Sequence, residues 1–317
     1  MRYALGIDGG GSKCDAVLVD ETGAVVGWGR GGAIHVYYDP PEAVSASYRS
    51  AVAGAVAGRS DLEVWVAGAA LDGQPPEALA AAGKVVGYVR ATEVDTAFAS
   101  VQEEWGLVVL SGTGSFVHGR SSDGRDLHWG GLGPVLNDYG SAYEIGLRGL
   151  RAAFASGWTE SRRTTLVQVI PEALGAPHLR AVFRLVYVEN MGRRQIASLA
   201  RVVNREAEAG DRVARECLER AADELGALGA DMLTELGMCD LSFPVIAIGS
   251  VAQRSAIWWQ RVCRRLAEAA PGTRPVIPQL QPAVGAALLA LREMGVPWTP
   301  ALIARLVETQ AIHRPSD

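Results

Sequence analysis

An apolar run breaks into a glycine loop close to the start of the chain, in the stretch Leu5-Gly6-Ile7-Asp8-Gly9-Gly10-Gly11-Ser12-Lys13. The pattern returns further along the chain as Leu110-Ser111-Gly112-Thr113-Gly114-Ser115. After each loop come a second apolar run and a turn signal, and each copy finishes at a Gly-Gly pair, Gly31-Gly32 or Gly130-Gly131. Glycine lets backbone N–H groups approach an anion that a Cβ would hold away. Each copy therefore predicts a β-hairpin whose tip binds phosphate.

The repeat predicts two related halves that grip one phosphate chain, as in a two-domain phosphotransferase. The length of 317 residues agrees with this, since a single hydrophobic core rarely extends beyond about 250–300 residues. We expect an N-terminal domain at residues 1–115 and a C-terminal domain with helical insertions at 116–298. The last helix, at about 299–317, is expected to pack back on the N-terminal domain.

Composition and charge argue against several classes of protein. The net charge is −5 and the arginines form no basic stripe, so nucleic acid is not expected as a partner. No apolar stretch approaches the roughly 20 residues that cross a bilayer. The N-terminus shows no secretory signal pattern, so we expect a soluble cytoplasmic protein with no membrane partner. The 4 cysteines form no C-x-x-C pair, which argues against a disulfide framework or a zinc site.

The order of periodic segments predicts an α/β fold. After the first hairpin we expect a helix at 41–58, a strand at 62–68, a short helix at 74–83, a strand at 84–89, a helix at 92–101 capped by Thr92, a helix at 139–156, a mainly helical region at 161–237, strands at 243–248 and 275–277, and helices at 282–294 and 300–309, the last capped by Thr299. Each half is then a mixed sheet covered by helices.

The two loops, in this order and frame, resemble those of the superfamily of acetate and sugar kinases, heat-shock chaperone ATPases and actin. Within it the chain is most similar to the N-acetylglucosamine kinase-like family, also called the BadF/BadG/BcrA/BcrD ATPase family, from Tyr3 to about Leu291. The resemblance implies two related ribonuclease H-like domains of the actin-like ATPase fold, with a cleft between them. It also implies ATP and Mg²⁺ as ligands and a homodimer as the assembly.

The first loop supplies candidate contacts to Mg²⁺ and phosphate. Asp8 ends an apolar strand, where its carboxylate can bind Mg²⁺ directly or through water. The amides that would approach phosphate oxygens are those of Gly9, Gly10, Gly11 and Ser12. Lys13 occupies a position where the resembled family has a basic residue, and two interpretations stay open: it neutralises phosphate, or it is an ordinary surface lysine. For the whole loop the alternative is a plain glycine-rich turn.

The second loop is expected to hold the γ-phosphate of ATP. Its candidate contacts are the amides and hydroxyls of Ser111, Gly112, Thr113 and Gly114. The resembled family places its adenosine contact where a strand ends at the start of a helix, and Gly249 and Ser250 match that junction. The alternatives are an ordinary turn and an ordinary strand–helix junction.

Phosphoryl transfer to a hydroxyl needs a base for the proton. The resemblance places a catalytic aspartate at the start of a helix upstream of the second loop, followed by a small residue, and Asp95 fits that description. A carboxylate in the first turn of a helix is stabilised in its ionised form by the helix dipole. Glu93 is the second candidate. The alternative for Asp95 is a helix-terminal residue without a catalytic role.

The acceptor pocket is implied by a segment from His128 to Tyr143, which resembles the Gly-Gly-Trp-Gly and Gly-Asp-Glu-Gly-Ser motifs of the family. The implied sugar contacts are Gly130, Gly131 and Asp138, together with His35, Asp72 and Asp95. Leu132, Asn137 and Tyr139 depart from the family pattern, so the identity of the sugar stays open. Asp138 is alternatively a cap of the following helix, and His35 is alternatively an ordinary loop histidine.

The resulting prediction is an ATP-dependent kinase that transfers the γ-phosphoryl group to a hydroxyl of N-acetylglucosamine, glucosamine or a related hexose. Two alternatives stay open. An activator ATPase shares the nucleotide site but needs cysteines that hold an iron–sulfur cluster, and the scattered thiols are Cys14, Cys217, Cys239 and Cys263. A catalytically silent, sugar-responsive regulator keeps the cleft and loses turnover.

Overall fold

The computed structural model of the chain describes residues 2–11, 13–34, 39–68 and 77–315. The chain divides into two compact units, which we call unit 1 and unit 2. Unit 1 consists of Met1–Glu104 and Pro278–Asp317, and unit 2 consists of Trp105–Ile277. Ser12, His35 and Asp72, all predicted to bind ligands, lie outside the described residues.

The division differs from the domain limits expected at 115/116 and 298/299 because those limits separate elements that pack together. Strand Gly106–Ser111 pairs with strand Ser115–Arg120, so both belong to unit 2. Helix Pro282–Glu293 packs on the first strand of unit 1, where a Cβ added to Gly6 would lie 2.0 Å from Ala283 O.

Unit 1 is built on a five-stranded mixed sheet. Its strands are β1 (Arg2–Gly9), β2 (Cys14–Asp20), β3 (Val25–Gly31), β4 (Glu63–Gly68) and β5 (Lys84–Arg90), in the spatial order β3-β2-β1-β4-β5. The first three strands are antiparallel, and β4 and β5 continue the sheet in parallel with β1. Strand β2 is buried on both faces: Val17 and Val19 lie in one apolar cluster, whereas Ala16 and Leu18 lie in the other.

Helices α1 (Pro41–Val56) and α2 (Glu93–Val101) and a short 3₁₀ helix (Glu77–Ala82) belong to the same unit. Strand β3 carries glycine at alternate positions on the face against α1. A Cβ on Gly27 or Gly29 would lie 1.9 Å from the carbonyl oxygen of Ala55 or Ala51. The alternation of glycine along β3 therefore allows α1 to pack directly on the strand backbone.

Unit 2 repeats this sheet. Its strands are β6 (Gly106–Ser111), β7 (Ser115–Arg120), β8 (Asp126–Gly130), β9 (Phe243–Ile248) and β10 (Thr273–Val276), in the spatial order β10-β9-β6-β7-β8. Strands β6, β7 and β8 are antiparallel, and β9 and β10 are parallel to β6. Read from β8, the order and directions match those of unit 1 read from β3. The predicted α/β class and the duplication are therefore confirmed.

The helices of unit 2 are α3 (Ala142–Ala155), α4 (Leu166–Ala173), α5 (Leu179–Tyr187), α6 (Arg193–Glu208), α7 (Arg212–Glu235), α8 (Ser250–Arg254) and α9 (Ala256–Ala269), with a 3₁₀ turn at Glu160–Arg162. One apolar cluster joins the sheet to these helices, with Leu107 and Val117 from the sheet packed among Ile145, Leu225 and Trp258. The predicted, mainly helical character of 161–237 is confirmed.

Helices α10 (Pro282–Glu293) and α11 (Pro300–His313) complete unit 1. Thr299 caps α11 as predicted, because its hydroxyl accepts a 3.2 Å hydrogen bond from Leu302 N, and Pro300 stands in the first turn. Thr309 Oγ1 accepts a 2.9 Å bond from Val25 N at the start of β3. No helix in the described ranges is both long and apolar enough to span a membrane.

Candidate functional site

The first glycine loop joins β1 to β2 in unit 1. The strands pair as far as Gly9 opposite Cys14. Beyond that pair, Gly10 N donates a 2.9 Å hydrogen bond to Lys13 O, and Ile34 N donates a 2.9 Å bond to Gly10 O. Both the N–H and the carbonyl of Gly10 are hydrogen-bonded, so the loop has a defined backbone path at the end of β1.

Asp8 lies half-buried at the end of β1, next to this loop. Burial raises the pKa of its carboxyl group to about 6; the Asp15 carboxylate raises it further and Lys13 opposes the shift. Asp15 is itself ion-paired, with Lys13 Nζ at 2.9 Å and Arg30 Nε at 2.7 Å. Lys13 therefore neutralises a carboxylate of its own hairpin, a role that neither interpretation of the sequence included.

The start of α2 lies at the same sheet edge as Asp8. Strands β1, β4 and β5 run parallel, so their carboxyl ends meet at one edge. Ile7 pairs with Gly68 near the ends of β1 and β4. Ala91, which follows the last residue of β5, donates a 3.2 Å hydrogen bond from its backbone N to Gly68 O. Glu93 then opens α2, which places the first turn of this helix beside the glycine loop of the unit.

Asp95 completes the capping box at the start of α2. Its Oδ2 accepts hydrogen bonds from Thr92 N at 2.9 Å and from Thr92 Oγ1 at 2.7 Å, while Asp95 N donates to Thr92 Oγ1 at 3.2 Å. This reciprocal pair is a capping box, and it confirms Thr92 as the predicted cap. One carboxylate oxygen of the predicted base is thus committed to the helix terminus.

Glu93, the second candidate base, lies in an environment that disfavours its ionised form. Burial raises the pKa of its carboxyl group to about 7, and the negative charge of Asp8 raises it further. An electrostatic effect of this kind requires the two carboxyl groups to be near each other. Sequence reasoning ranked Glu93 second because the spacing to the following small residue favoured Asp95.

The second glycine loop joins β6 to β7 in unit 2, where Ser111 pairs with Ser115. Gly112 N donates a 2.9 Å hydrogen bond to Gly114 O across the loop. Thr113, at the tip, is half-buried. The loop therefore has the same hairpin frame as the first, and it follows the matching strand of the sheet.

Two serine hydroxyls fasten this loop to the segment before α3. Ser111 Oγ donates to Gly140 O at 2.7 Å, and Ser115 Oγ donates to Tyr139 O at 2.6 Å. A hydroxyl has one hydrogen to donate, so neither serine has a donor left for phosphate. Ser111 was predicted to hold phosphate through its hydroxyl; in the structure that hydroxyl is fully buried and anchors the loop.

The Asp138 side chain packs against the second loop. Its buried carboxylate accepts a 2.6 Å hydrogen bond from Arg193 Nη2, and the backbone N–H groups of Ser115 and Gly133 donate to it as well. Burial raises the pKa of this carboxyl group, and the charge of Arg193 opposes the shift. The helix cap is Ser141, which accepts from Glu144 N at 3.2 Å. The interpretation of Asp138 as the cap was therefore wrong.

Arg193 is a residue that sequence reasoning missed. It opens α6, and its guanidinium reaches the second loop: a Cβ added to Gly114 would lie 2.9 Å from Arg193 Nη2 and 3.1 Å from Asp138 Oδ2. No local motif surrounds this arginine in the sequence, which holds arginine along most of its helices. Only tertiary packing distinguishes it from the others.

The remaining predicted contacts of unit 2 gather around the same loop. Gly130 and Gly131 end β8 with φ values of +98° and +71°, and Gly131 N donates a 2.8 Å bond to Ser115 O. Gly249 has φ +86°, and a Cβ there would lie 2.4 Å from Ser111 O, so only glycine fits this position. Ser250 follows as the exposed first residue of α8.

The site residues therefore form two groups, one in each unit. In unit 1 the group consists of Asp8, the Gly9–Lys13 loop apart from Ser12, Glu93 and Asp95. In unit 2 it consists of the Ser111–Gly114 loop, Gly130, Gly131, Asp138, Arg193, Gly249 and Ser250.

A known family matches most of the chain. The sequence profile described as the BadF/BadG/BcrA/BcrD ATPase family matches residues 5–290, which includes both glycine loops. The chain belongs to this family. Other members of the BadF/BadG/BcrA/BcrD ATPase family are therefore the reference for its fold, as the sequence resemblance predicted.

Two curated relatives match parts of the chain. An N-acetylmuramic acid/N-acetylglucosamine kinase of Clostridium acetobutylicum is 34% identical over 143 residues, which are 45% of this chain and 46% of that protein. An N-acetyl-D-glucosamine kinase of Dictyostelium discoideum is 29% identical over 189 residues, 59% of each protein. The matched region thus spans about half the length of these relatives.

A solved structure of similar fold is that of a putative N-acetylglucosamine kinase from Chromobacterium violaceum. It superposes with a TM-score of 0.65 over 92% of this chain and 99% of its own, at 20% sequence identity. This likeness confirms the two-domain α/β fold.

The residues around Asp8 suit Mg²⁺ bound together with phosphate. Within the described ranges, no group of three or more histidine, cysteine, aspartate or glutamate side chains is arranged to hold a metal ion by itself. Mg²⁺ is commonly held by one or two carboxylates together with phosphate oxygens and water. A single half-buried carboxylate beside a glycine loop, such as Asp8, fits that manner of binding.

Proposed function

We propose that this chain is an ATP-dependent kinase that transfers the γ-phosphoryl group of ATP to a hydroxyl of a small sugar, most directly N-acetylglucosamine, glucosamine or a related hexose. The observation that carries the proposal is the duplicated hairpin: each unit places a glycine loop after the same strand of the same sheet, in a family of ATPases. Two curated relatives named as kinases of N-acetylated amino sugars support the choice of acceptor.

In this proposal the glycine loop of each unit binds phosphate. The amides of Gly9, Gly10 and Gly11 and of the Ser111–Gly114 loop approach phosphate oxygens, and Asp8 binds Mg²⁺, directly or through water. Mg²⁺ would neutralise negative charge on the transferred phosphoryl group. Gly249 supports the second loop through backbone contact, and with Ser250 it is proposed to lie against adenosine.

The base that accepts the proton of the sugar hydroxyl is proposed to be Glu93. As that proton moves to the Glu93 carboxylate, the sugar oxygen bonds to the γ-phosphorus and ADP leaves. Two observations support Glu93 over Asp95: the capping box engages Asp95 Oδ2, and burial together with Asp8 brings the pKa of Glu93 to about 7. A base with a pKa near the working pH is effective in general base catalysis.

The acceptor contacts at Gly130, Gly131 and Asp138 remain predictions, as do those at His35 and Asp72. Tyr139 and Leu132, which depart from the family pattern, are exposed next to these residues. We therefore leave the choice among hexoses to experiment. Mg²⁺ as the metal, a cytoplasmic location and a homodimer belong to the same proposal.

The activator ATPase is less well supported. An iron–sulfur cluster needs several cysteine ligands close together. Cys14 lies in β2, Cys217 in α7 and Cys263 in α9, and both Cys14 and Cys217 are buried. No observation favours the silent regulator.

The test is a coupled ADP-release screen over hexoses, hexosamines and their N-acetyl derivatives, with ATP and Mg²⁺. We expect ADP release that depends on one class of sugar, with the phosphorylated sugar identified by mass spectrometry. The Glu93→Gln variant serves as the control that binds ATP but releases no ADP. ADP release that is equal with and without every sugar would contradict the kinase proposal and favour the activator ATPase.

A further inference from the structure

We propose that Arg193 is a phosphate-binding residue of the second glycine loop and that Asp138 is its positioning residue. The inference deepens the proposed function and rests on it only in taking a nucleotide as the ligand. Neither the family pattern nor the sequence analysis included Arg193, and Asp138 was predicted to contact the sugar.

The position of Arg193 in its helix is the first observation. It is the first residue of α6, directly after the cap residue Gly192. A cation is disfavoured there because the N-terminus of a helix carries a partial positive charge. Arg193 is held in this position by Asp138, whose carboxylate lies 2.6 Å from Nη2 and is almost fully buried. The structure therefore stabilises a positive charge where the helix alone would disfavour it.

The second observation is how closely this pair approaches the loop. Asp138 also accepts from Ser115 N, so the ion pair is tied to the strand that leaves the loop. An added Cβ at Gly114 would lie 2.9 Å from Arg193 Nη2 and 3.3 Å from Asp138 Oδ1. Any side chain at Gly114 would therefore push the guanidinium away. The ion pair packs directly against the loop at this position.

The third observation concerns the hydroxyls of the loop. Ser111 and Ser115 donate their single hydrogens to Gly140 O and Tyr139 O, so they cannot also donate to phosphate. The backbone amides of the loop donate hydrogen bonds but carry no net charge, so a nearby cation would strengthen phosphate binding. The guanidinium of Arg193 is such a cation, and its planar fork of N–H groups matches phosphate oxygens. Its side chain is 23% exposed and is therefore only partly covered by the protein.

The experiment compares nucleotide binding by four proteins, using isothermal titration calorimetry with ATP and Mg²⁺ and with adenosine as a phosphate-free probe. The variants are Arg193→Met, the double variant Asp138→Asn with Arg193→Met, and Arg201→Met on the exposed face of the same helix as a matched control. The double variant leaves no buried carboxylate unpaired, and thermal unfolding checks that it folds.

We expect Arg193→Met to weaken ATP binding by about ten- to a hundredfold, as for loss of hydrogen bonds to a charged group, and to leave adenosine binding unchanged. The double variant should show the same loss, whereas Arg201→Met should bind ATP like the unmodified protein. If Asp138 and Arg193 serve only to stabilise the fold, the double variant will bind ATP normally, and the inference is wrong. An equal loss of ATP and adenosine affinity in a folded variant also contradicts it.

The outcomes separate this inference from the proposed function. If ATP binds and depends on Arg193 but no sugar is phosphorylated, the inference stands and the kinase proposal fails. If a sugar is phosphorylated while ATP binding is independent of Arg193, the kinase proposal stands and the inference fails. If the unmodified protein binds no nucleotide, both are wrong.

Discussion

The two glycine loops share one backbone frame but lie in different chemical surroundings. The first, after β1, lies among the carboxylates of Asp8, Asp15 and Glu93. The second, after β6, is fastened by two serine hydroxyls and lies against the Asp138–Arg193 ion pair. Duplication therefore preserved the strand order and the loop, while the side chains around each loop diverged. Under the proposed function, the surroundings of the first loop supply Asp8 for metal binding and Glu93 as the base, and those of the second loop supply the positive charge of Arg193.

The first prediction tests whether the carboxylates of unit 1 carry the chemistry. Glu93→Gln should lower kcat for sugar phosphorylation by about 10²–10⁴-fold, because the variant cannot accept the sugar proton. Asp95→Asn should keep kcat within a few-fold, since an amide oxygen can still accept the bonds from Thr92. Steady-state kinetics of both variants, with ATP affinity as the control, measure this. An inactive Asp95→Asn variant beside an active Glu93→Gln variant would return the base role to Asp95.

The second prediction compares a glycine from each loop. A Cβ on Gly10 meets no atom within 4 Å, whereas a Cβ on Gly114 meets Arg193 and Asp138. Gly114→Ala should therefore lower the free energy of unfolding by about 1–3 kcal/mol through overpacking. Gly10→Ala should change it by less than about 0.5 kcal/mol yet weaken ATP binding, because the added methyl group obstructs the phosphate. Urea unfolding and calorimetry measure the two effects.

The Gly10→Ala variant tests whether the first loop approaches phosphate. If it is stable and binds ATP as tightly as the unmodified protein, the first loop does not approach phosphate as proposed. If Gly114→Ala is as stable as the unmodified protein, the packing of the ion pair against the second loop is not as tight as described.

The third prediction concerns the anchoring of the second loop. Ser111→Ala removes a buried 2.7 Å hydrogen bond to Gly140 O and should lower the free energy of unfolding by about 1 kcal/mol. ATP affinity should fall little, because the hydroxyl is buried and donates its hydrogen to Gly140 O. Unfolding by urea and ATP titration of the same sample check both statements. Unchanged stability with a large loss of ATP affinity would restore the phosphate-binding role predicted for this hydroxyl.

Much of the fold could be predicted from local pattern. The hairpins, the alternation of buried residues in β2, the cap at Thr92 and the cap at Thr299 all depend on residues within a few positions of one another. The domain limit before α10 could not be predicted in this way. The packing of α10 against β1 joins residues far apart in the chain. The pairing of β6 with β7 is local, and the expected limit at 115/116 divided that hairpin.

The same distinction between local pattern and tertiary contact applies to the candidate site residues. The sequence located both glycine loops and Asp8, because glycine and a strand-terminal carboxylate are visible as neighbours. It favoured Asp95 over Glu93 as the base, without knowing which carboxylate the capping box engages and which lies near Asp8. It also assigned the Ser111 hydroxyl to a ligand, because its partner, Gly140, follows only after the whole of β7 and β8.

The chain on its own therefore specified the repeated strand–loop–strand unit, since periodicity and glycine placement are local properties that act within a single turn or strand. Tertiary structure alone brought Arg193 from the start of α6 to Gly114 and buried Asp138 between them. The physical reason is that burial, ion pairing and pKa depend on distances between side chains, and those distances are set only when the sheet and its helices have packed.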